Sequence, residues 1–257
     1  TLNNKKYMKK NTFNLNNKNI IITGGNGFLG RQITDALLSE KANVYIIDIN
    51  QPKIKTLAKY FKSDITKESE LKKILKFFKL KKIKIDVLIN NAAIDYPPSK
   101  SKKNNLKLEN FPNNLWDQDI LVSLKGSYLC TKVFGSYMSK FKKGSIINVS
   151  SDLGIIAPDQ RVYKESGFTK PVTYSVVKHG IIGLTKYTAS YWGEKNIRCN
   201  AIAPGGIFNG QDPSFVRNIN KLIPLGRMAK KKEYNGLILF LCSDLSSYMT
   251  GSVIVAD

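Results

Sequence analysis

The chain is expected to adopt an α/β fold, a single doubly wound parallel sheet covered by helices on both faces. Three observations predict it. Near-continuous apolar runs of strand length recur along the chain, amphipathic helical stretches fall between them, and the first run ends in a glycine-rich turn. Strands buried on both faces lose the apolar/polar alternation, and helices between them supply the crossovers a parallel sheet needs.

In chain order, a polar tail is placed over residues 1–13. "NIIITGG" (Asn19 to Gly25) then reads as a buried strand meeting a tight turn. The next helix is expected from near Phe28, burying Ile33, Ala36 and Leu37, and "NVYIIDI" (Asn43 to Ile49) is the second strand. In "SDITKESELKKILKFF", Thr66 is placed to cap a helix with Glu68 and Glu70 in its first turn. Leu71, Ile74, Leu75 and Phe78, at helical spacing, form its buried face. "KIDVLINNAA" (Lys84 to Ala93), "GSIINVSS" (Gly144 to Ser151) and "IRCNAIAPGG" (Ile197 to Gly206) continue the strand pattern. A long helix is expected from Tyr174. With no internal repeat and no interdomain linker, one domain is predicted over residues 14–257.

Composition narrows the class. No apolar run approaches the ~20 residues of a membrane-spanning helix, and the first residues lack the apolar core of a secretory signal. The chain starts at Thr1, with its first Met at position 8, so trimming at its start is expected. Cys130, Cys199 and Cys242 are too few and scattered for a disulfide framework or metal knuckle, and Cys199 reads as a core thiol. A reducing, cytoplasmic setting with no membrane partner is expected. The net charge of +22 could signal nucleic acid, but it comes from 36 Lys and only five Arg, dispersed over many segments. Base and phosphate readers favour the guanidinium fork, so a solvated lysine-rich surface without a nucleic-acid partner is the reading. His179 is the only histidine; one imidazole cannot make a metal site, and no metal is expected.

The chemistry lies in three places. "TGGNGFLG" (Thr23 to Gly30) lets backbone approach a pyrophosphate resting on a helix N-terminus, although such turns also serve simply to be tight. Asp48 closes the second strand about 20 residues on, where a carboxylate binds adenosine ribose hydroxyls and repels a 2′-phosphate. No Arg or Lys lies between Gly25 and Leu29 to offset it. NAD is therefore expected rather than NADP. In "VTYSVVKHG", Tyr174 and Lys178 share one helix face. A phenol is too weak an acid to serve at neutral pH, and a neighbouring ammonium favours its phenolate. Ser150 and Ser151 end the preceding strand, where a hydroxyl can hold a substrate carbonyl.

These motifs occur in an order that resembles the short-chain dehydrogenases/reductases, in their single-domain branch: "TGGNGFLG", "DI" at 48, "SDI" at 63, "NNAA" at 90, "NVSS" at 148, "YSVVK" at 174 and "APGG" at 203. The resemblance covers nearly everything after residue 14 and implies a Rossmann-type oxidoreductase. It implies Tyr174 as general acid/base, with Lys178 lowering its pKa and binding the nicotinamide ribose, and Ser151 orienting the substrate oxygen. Gly24, Asn26, Gly27, Phe28, Leu29 and Asp48 would bind cofactor, with Asp64 and Ile65 at the adenine. Asn91, Ala92 and Ala93 would line the cleft, and Pro204, Gly205 and Ile207 would pass the nicotinamide. The aromatic stretch Tyr187 to Trp192 would pack in the core or in a homodimer or homotetramer interface.

Departures accompany it. Phe28 stands where this branch usually has glycine, in a loop closer to the sugar-nucleotide-modifying branch. Ser123 stands where an asparagine usually supports a water-mediated proton relay, and Asn209 replaces the usual carboxamide-binding threonine. A short tail is expected beyond "VIVAD". Ser151 and Tyr174 are 23 residues apart, where relatives have roughly a dozen. The surplus is the polar, irregular segment Asp159 to Val172. Its Arg161, Lys164 and Lys170 could meet phosphate or carboxylate, or only solvent. A second polar insertion, Tyr96 to Asn114, would reach the same edge. Together they point to a polar, anionic, sugar-type substrate, and further resemblance to oxidoreductases of flagellin and surface-glycan modification, including nonulosonate pathways, agrees. Alternatives are an epimerase or dehydratase that retains NAD, and a non-catalytic NAD-binding regulator.

Overall fold

The structure is a computed structural model, and it describes residues 13–96 and 106–257. Strands β1 (Asn19–Thr23), β2 (Asn43–Asp48), β3 (Lys59–Lys62), β4 (Val87–Asn90), β5 (Gly144–Val149), β6 (Ile197–Pro204) and β7 (Val253–Ala256) form one sheet, all pairs parallel, in the order β3-β2-β1-β4-β5-β6-β7. The apolar runs become central strands because nearly all of their side chains beyond the first residue are buried. Ile21, Ile47, Leu88 and Ile146 face one core, shared with Leu71, Ile74 and Phe78 of α2 (Glu68–Leu80). Ile20, Ile22, Ile46 and Ile89 face the other, shared with Ile33 and Leu37 of α1 (Phe28–Ser39) and with α8 (Asn235–Cys242). Successive strand residues alternate between the two cores, as the pleat requires.

Helix α6 (Val172–Trp192) packs on the first of these faces, beside a helical run of π and α turns over residues 113–139. In that run, α3 (Asn113–Asp119), α4 (Gly126–Cys130) and α5 (Ser136–Ser139) are joined by π-helical turns at Ile120–Lys125 and Thr131–Gly135. Between β1 and β4 the strand order reverses, which opens a crevice at the carboxyl ends of the strands.

The predicted strands β4, β5 and β6 end short of their expected bounds, at Asn90, Val149 and Pro204, where the Asn-Ala-Ala, Ser-Ser and Gly-Gly segments leave the sheet. Helix α6 starts at Val172, two residues before Tyr174. Thr66 does not cap α2. Its hydroxyl donates to Asp64 Oδ1 at 2.7 Å, and the helix begins after Lys67 without a side-chain cap. Neither β3 nor β7 was expected. β3 is framed by lysines and half-buried, so its apolar signal is weak. Most of the polar insertion after Tyr96 lies outside the described residues, as does most of the tail over 1–13.

A buried polar seam crosses the first face. Asn90 Nδ2 donates to Thr131 Oγ1 at 3.0 Å and to Asn148 Oδ1 at 2.8 Å, and Asn148 Nδ2 donates to Thr185 Oγ1 at 2.8 Å. It ties β4 and β5 to the helices that carry the crevice residues. Asn148→Ala takes one partner from Asn90 and one from Thr185 in a dry interior, a loss of about 1–3 kcal/mol. A lower midpoint in urea unfolding is the expected result; an unchanged midpoint would count against the seam as a stabilising element.

Candidate active site

The crevice begins at the turn after β1. Gly24 has φ +64°, and a Cβ there would come within 2.8 Å of Ala92 Cα. A Cβ on Gly30 would come within 2.1 Å of Gly24 O, so side chains are excluded at both positions. Thr23 Oγ1 accepts the N–H groups of Asn91 and Ala92, both at 3.1 Å, and Asn91 Nδ2 donates to the carbonyls of Thr23 and Gly24. The turn and the "NNAA" segment are thus stitched together. Gly27 stands at the N-cap of α1 with no side chain satisfying the first turn, the arrangement that receives an anion.

Asp48 is buried at the end of β2, its two oxygens accepting from the backbone N–H of Asn26 (3.0 Å) and Asn50 (2.9 Å). It is locked beside the turn as a carboxylate. Burial would raise the Asp64 carboxyl, but hydrogen bonds from Thr66 and the charge of Lys67 outweigh it and hold it low. The Ile65 side chain lies in the core against Gly126 rather than in the crevice. Phe28 and Ala93 are exposed and Leu29 is half-buried. Pro204 ends β6. Gly205 meets the Asp257 carboxylate so closely that a Cβ would sit 2.1 Å from it, and Ile207 bridges to Ala229. The residues fit a dinucleotide: a side-chain-free turn at an uncapped helix end, with a fixed carboxylate one strand away.

At the other end, Tyr174 and Lys178 stand one turn apart on α6, with Lys178 Nζ 5.6 Å from the phenol ring centroid. Lys178 is held from two sides. Its Nζ donates to Val149 O at 3.0 Å, and Ser150 Oγ donates to Lys178 O at 2.8 Å. Of the serine pair, Ser150 therefore locks the helix, whereas Ser151 stays at the site. Ser151 Oγ donates to Asp152 Oδ1 at 2.6 Å and accepts from Leu153 N–H at 3.2 Å. Ser123 lies in a π-helical turn and accepts the Ile94 N–H at 3.0 Å. With Tyr174, Lys178, Tyr96 and Asp119 it lines a cavity of about 10 Å³, close to the ~10–15 Å³ at which a water fits.

Burial and the nearby carboxylates together oppose the phenolate of Tyr174. Burial, the largest effect, pushes Tyr174 well above the ordinary phenol range; Asp95 and Asp152 add to it, and Ser151 works against it. Burial also pushes Lys178 down to about 8, with Asp95 opposing and Lys170 assisting. The chain crowded around Asp95 would raise its carboxyl even though the side chain is open to solvent on one side, but Lys170 and Lys178 outweigh this and hold it below the usual carboxylate range.

The segment from Asp159 is neither irregular nor simply solvated. Residues Gln160–Ser166 form a 3-10 helix, started by Asp159 accepting the Arg161 N–H. Val162, Tyr163 and Phe168 pack with Phe215 of α7 (Pro213–Asn220), Ile223 and Met228 in a third, small core. Arg161 turns its fork onto Asp159, and Lys164 is exposed. Only Lys170 reaches the catalytic cluster. Its Nζ lies 2.9 Å from Asp95 Oδ1 and 3.7 Å from the Tyr174 ring centroid. Sequence reasoning missed Asp95, although it stands two residues beyond "NNAA", and Gln160, whose amide bonds both backbone groups of Lys170. His179 is exposed and its Nδ1 meets Ser175 O. Among the described residues no cluster of three or more His, Cys, Asp or Glu could hold a metal, and no helix is long and apolar enough to cross a membrane.

Known proteins place this geometry. The family model described as enoyl-(acyl carrier protein) reductase matches residues 26–257. A 3-oxoacyl-[acyl-carrier-protein] reductase, FabG, of Thermotoga maritima is 34% identical, covering 95% of this chain and 97% of its own. An NAD-dependent glycerol dehydrogenase of Listeria innocua is 29% identical, covering 95% and 94%. The crystal structure of a short chain dehydrogenase from Leptospira borgpetersenii with bound NAD+ superposes with a TM-score of 0.88 at 30% identity, covering 100% of this chain and 98% of that one. The chain belongs to the short-chain dehydrogenase/reductase family, oxidoreductases acting on CH–OH groups.

Proposed function

We propose that the chain is an NAD-dependent oxidoreductase of a polar, sugar-type alcohol or carbonyl, in the range that includes surface-glycan precursors. The observation that carries the cofactor choice is Asp48, held by two backbone N–H groups beside the glycine turn. A carboxylate fixed there accepts ribose hydroxyls and repels a 2′-phosphate. The polar substrate is supported by the polar rim around Tyr174, where Asp95, Lys170 and Asp152 gather, and by the glycerol dehydrogenase relative. Arg161 is already paired with Asp159, so a negative charge on the substrate is not built into this reading. The exposed, stacked Tyr187 and Tyr191 on α6 support assembly as a homodimer or homotetramer.

The nicotinamide, when bound, supplies the hydride acceptor or donor. Ser151, which donates to Asp152 at rest, turns that same hydrogen to the substrate oxygen. Tyr174 takes the hydroxyl proton as the alcohol is oxidised and returns it in the reverse direction. Lys178, anchored on Val149 O, keeps its ammonium on the phenol face and favours the phenolate. The cavity beside Ser123 has room for one water to lead the proton away from Lys178.

Tyr174→Phe is expected to lower turnover by about 10²–10⁴-fold while NAD binding, followed by protein fluorescence, persists. Retained turnover would reject the assignment and favour an NAD-binding regulator. Because burial and Asp95 hold the phenol up, alcohol oxidation by the wild type should accelerate as pH rises, the phenolate being the base; a falling rate would contradict this. Asp48→Asn should shift kcat/KM toward NADP by about tenfold or more, a change of ~1.4 kcal/mol. A panel of polyols, aldoses and sugar phosphates tests the substrate class. Reduction of NAD only by steroid or aliphatic alcohols would overturn it, and tight NAD retention without net NADH release would point to an epimerase.

A further inference from the structure

We propose that Lys170 and Asp95 are positioning residues for the proton-transfer step, Lys170 favouring the phenolate of Tyr174 and Asp95 restraining it. The inference rests on Tyr174 being the proton-transfer group, but not on the identity of the substrate.

The geometry is specific. The Lys170 side chain is 8% exposed, yet the carboxylate it pairs with, that of Asp95, is 58% exposed. A lysine serving merely to pair with a surface carboxylate has no reason to be buried, since desolvation costs more than such a pair returns. Burial instead puts Nζ over the face of the Tyr174 ring, 3.7 Å from its centroid. Lys178, on the same helix as Tyr174, stands 5.6 Å from that centroid. A cation over an aromatic face is attracted to the ring, and more strongly once the ring carries the phenolate charge.

Both residues are held in place from outside the pair. Gln160 Nε2 donates to Lys170 O at 3.0 Å, and Lys170 N–H donates to Gln160 Oε1 at 3.1 Å. Asp95 follows Ile94, whose N–H is fixed on Ser123 Oγ. The other charged or titratable groups toward Tyr174 are Lys178 from α6, Asp152 after β5, Tyr163 from the 3-10 segment, and Tyr96 and Asp119 across the cavity. Among them, Lys170 and Asp95 bear opposite charges and touch each other, so changing either one alone moves the balance on Tyr174 in a predictable sense.

The test is the near-ultraviolet phenolate absorbance of the full chain against pH, with and without NAD. Each form is referenced to the same form carrying Tyr174→Phe, so no substrate is needed and failure of the sugar reading leaves the result interpretable. Lys170→Met should move the Tyr174 titration to higher pH, and Asp95→Asn to lower pH, each by about one unit or more. Lys170→Arg, which keeps the cation, should titrate near the wild type. Opposite shifts with arginine rescue support the proposal. Shifts of the same sign in both variants, or unmoved titrations alongside a lowered Tm, reduce the pair to a structural tie and overturn it. If Lys170→Met does not fold, the Asp95→Asn and Lys170→Arg titrations decide alone.

Discussion

The site depends on a reciprocal clasp between the end of β5 and the middle of α6. Val149 offers its carbonyl to the Lys178 ammonium, and Ser150 gives its hydroxyl proton to the Lys178 carbonyl. One residue is thereby held by both side chain and backbone, and Tyr174, one turn earlier, is carried to Ser151, whose hydroxyl bonds its phenol. The clasp also explains the small residue at 154. A Cβ on Gly154 would fall 2.6 Å from Ser150 Oγ and 2.8 Å from Lys178 O. Helix and strand meet closely enough to exclude solvent, which strengthens each charge interaction inside.

The two halves of the crevice solve different problems. At the β1 turn the need is for backbone to come close to a large anion, and glycine together with a Thr23–Asn91 stitch meets it. Around Tyr174 the need is for a balance of charge in a desolvated place, met by two lysines and two carboxylates drawn from four segments of chain. The sheet serves both because its strands deliver their ends to one edge, and the polar seam through Asn90 and Asn148 keeps the neighbouring strands and helices in register beneath them.

Much of this was legible in the sequence. Five strands announced themselves as apolar runs, since full burial leaves no alternation to confuse. The glycine turn, Asp48, Ser151, Tyr174 and Lys178 are local patterns whose chemistry can be read at short range. What could not be read is long-range or aperiodic. Lys170 and Asp95 are separated by 75 positions, and neither one's neighbours signal the other. The wall segment hid Val162, Tyr163 and Phe168 because a 3-10 turn has no 3.6-residue rhythm, and the charges around them dominated the impression of a solvated loop. The sequence offers Arg161, Lys164 and Lys170 together, with the fork of Arg161 foremost; a carboxylate two residues away claims Arg161, and only packing brings Lys170 inward.

The wall has its own small core, shared with α7 and separate from the two that sandwich the sheet. Its reach into the reaction centre runs through Lys170, which meets Asp95 and the Tyr174 ring and is itself held by Gln160 of the same wall. Such a piece could change in length or sequence without disturbing the packing of the sheet and its clasp. The outer wall can thus be reshaped for a different alcohol at its own small core, the one constraint being that Lys170 keep its place over Tyr174.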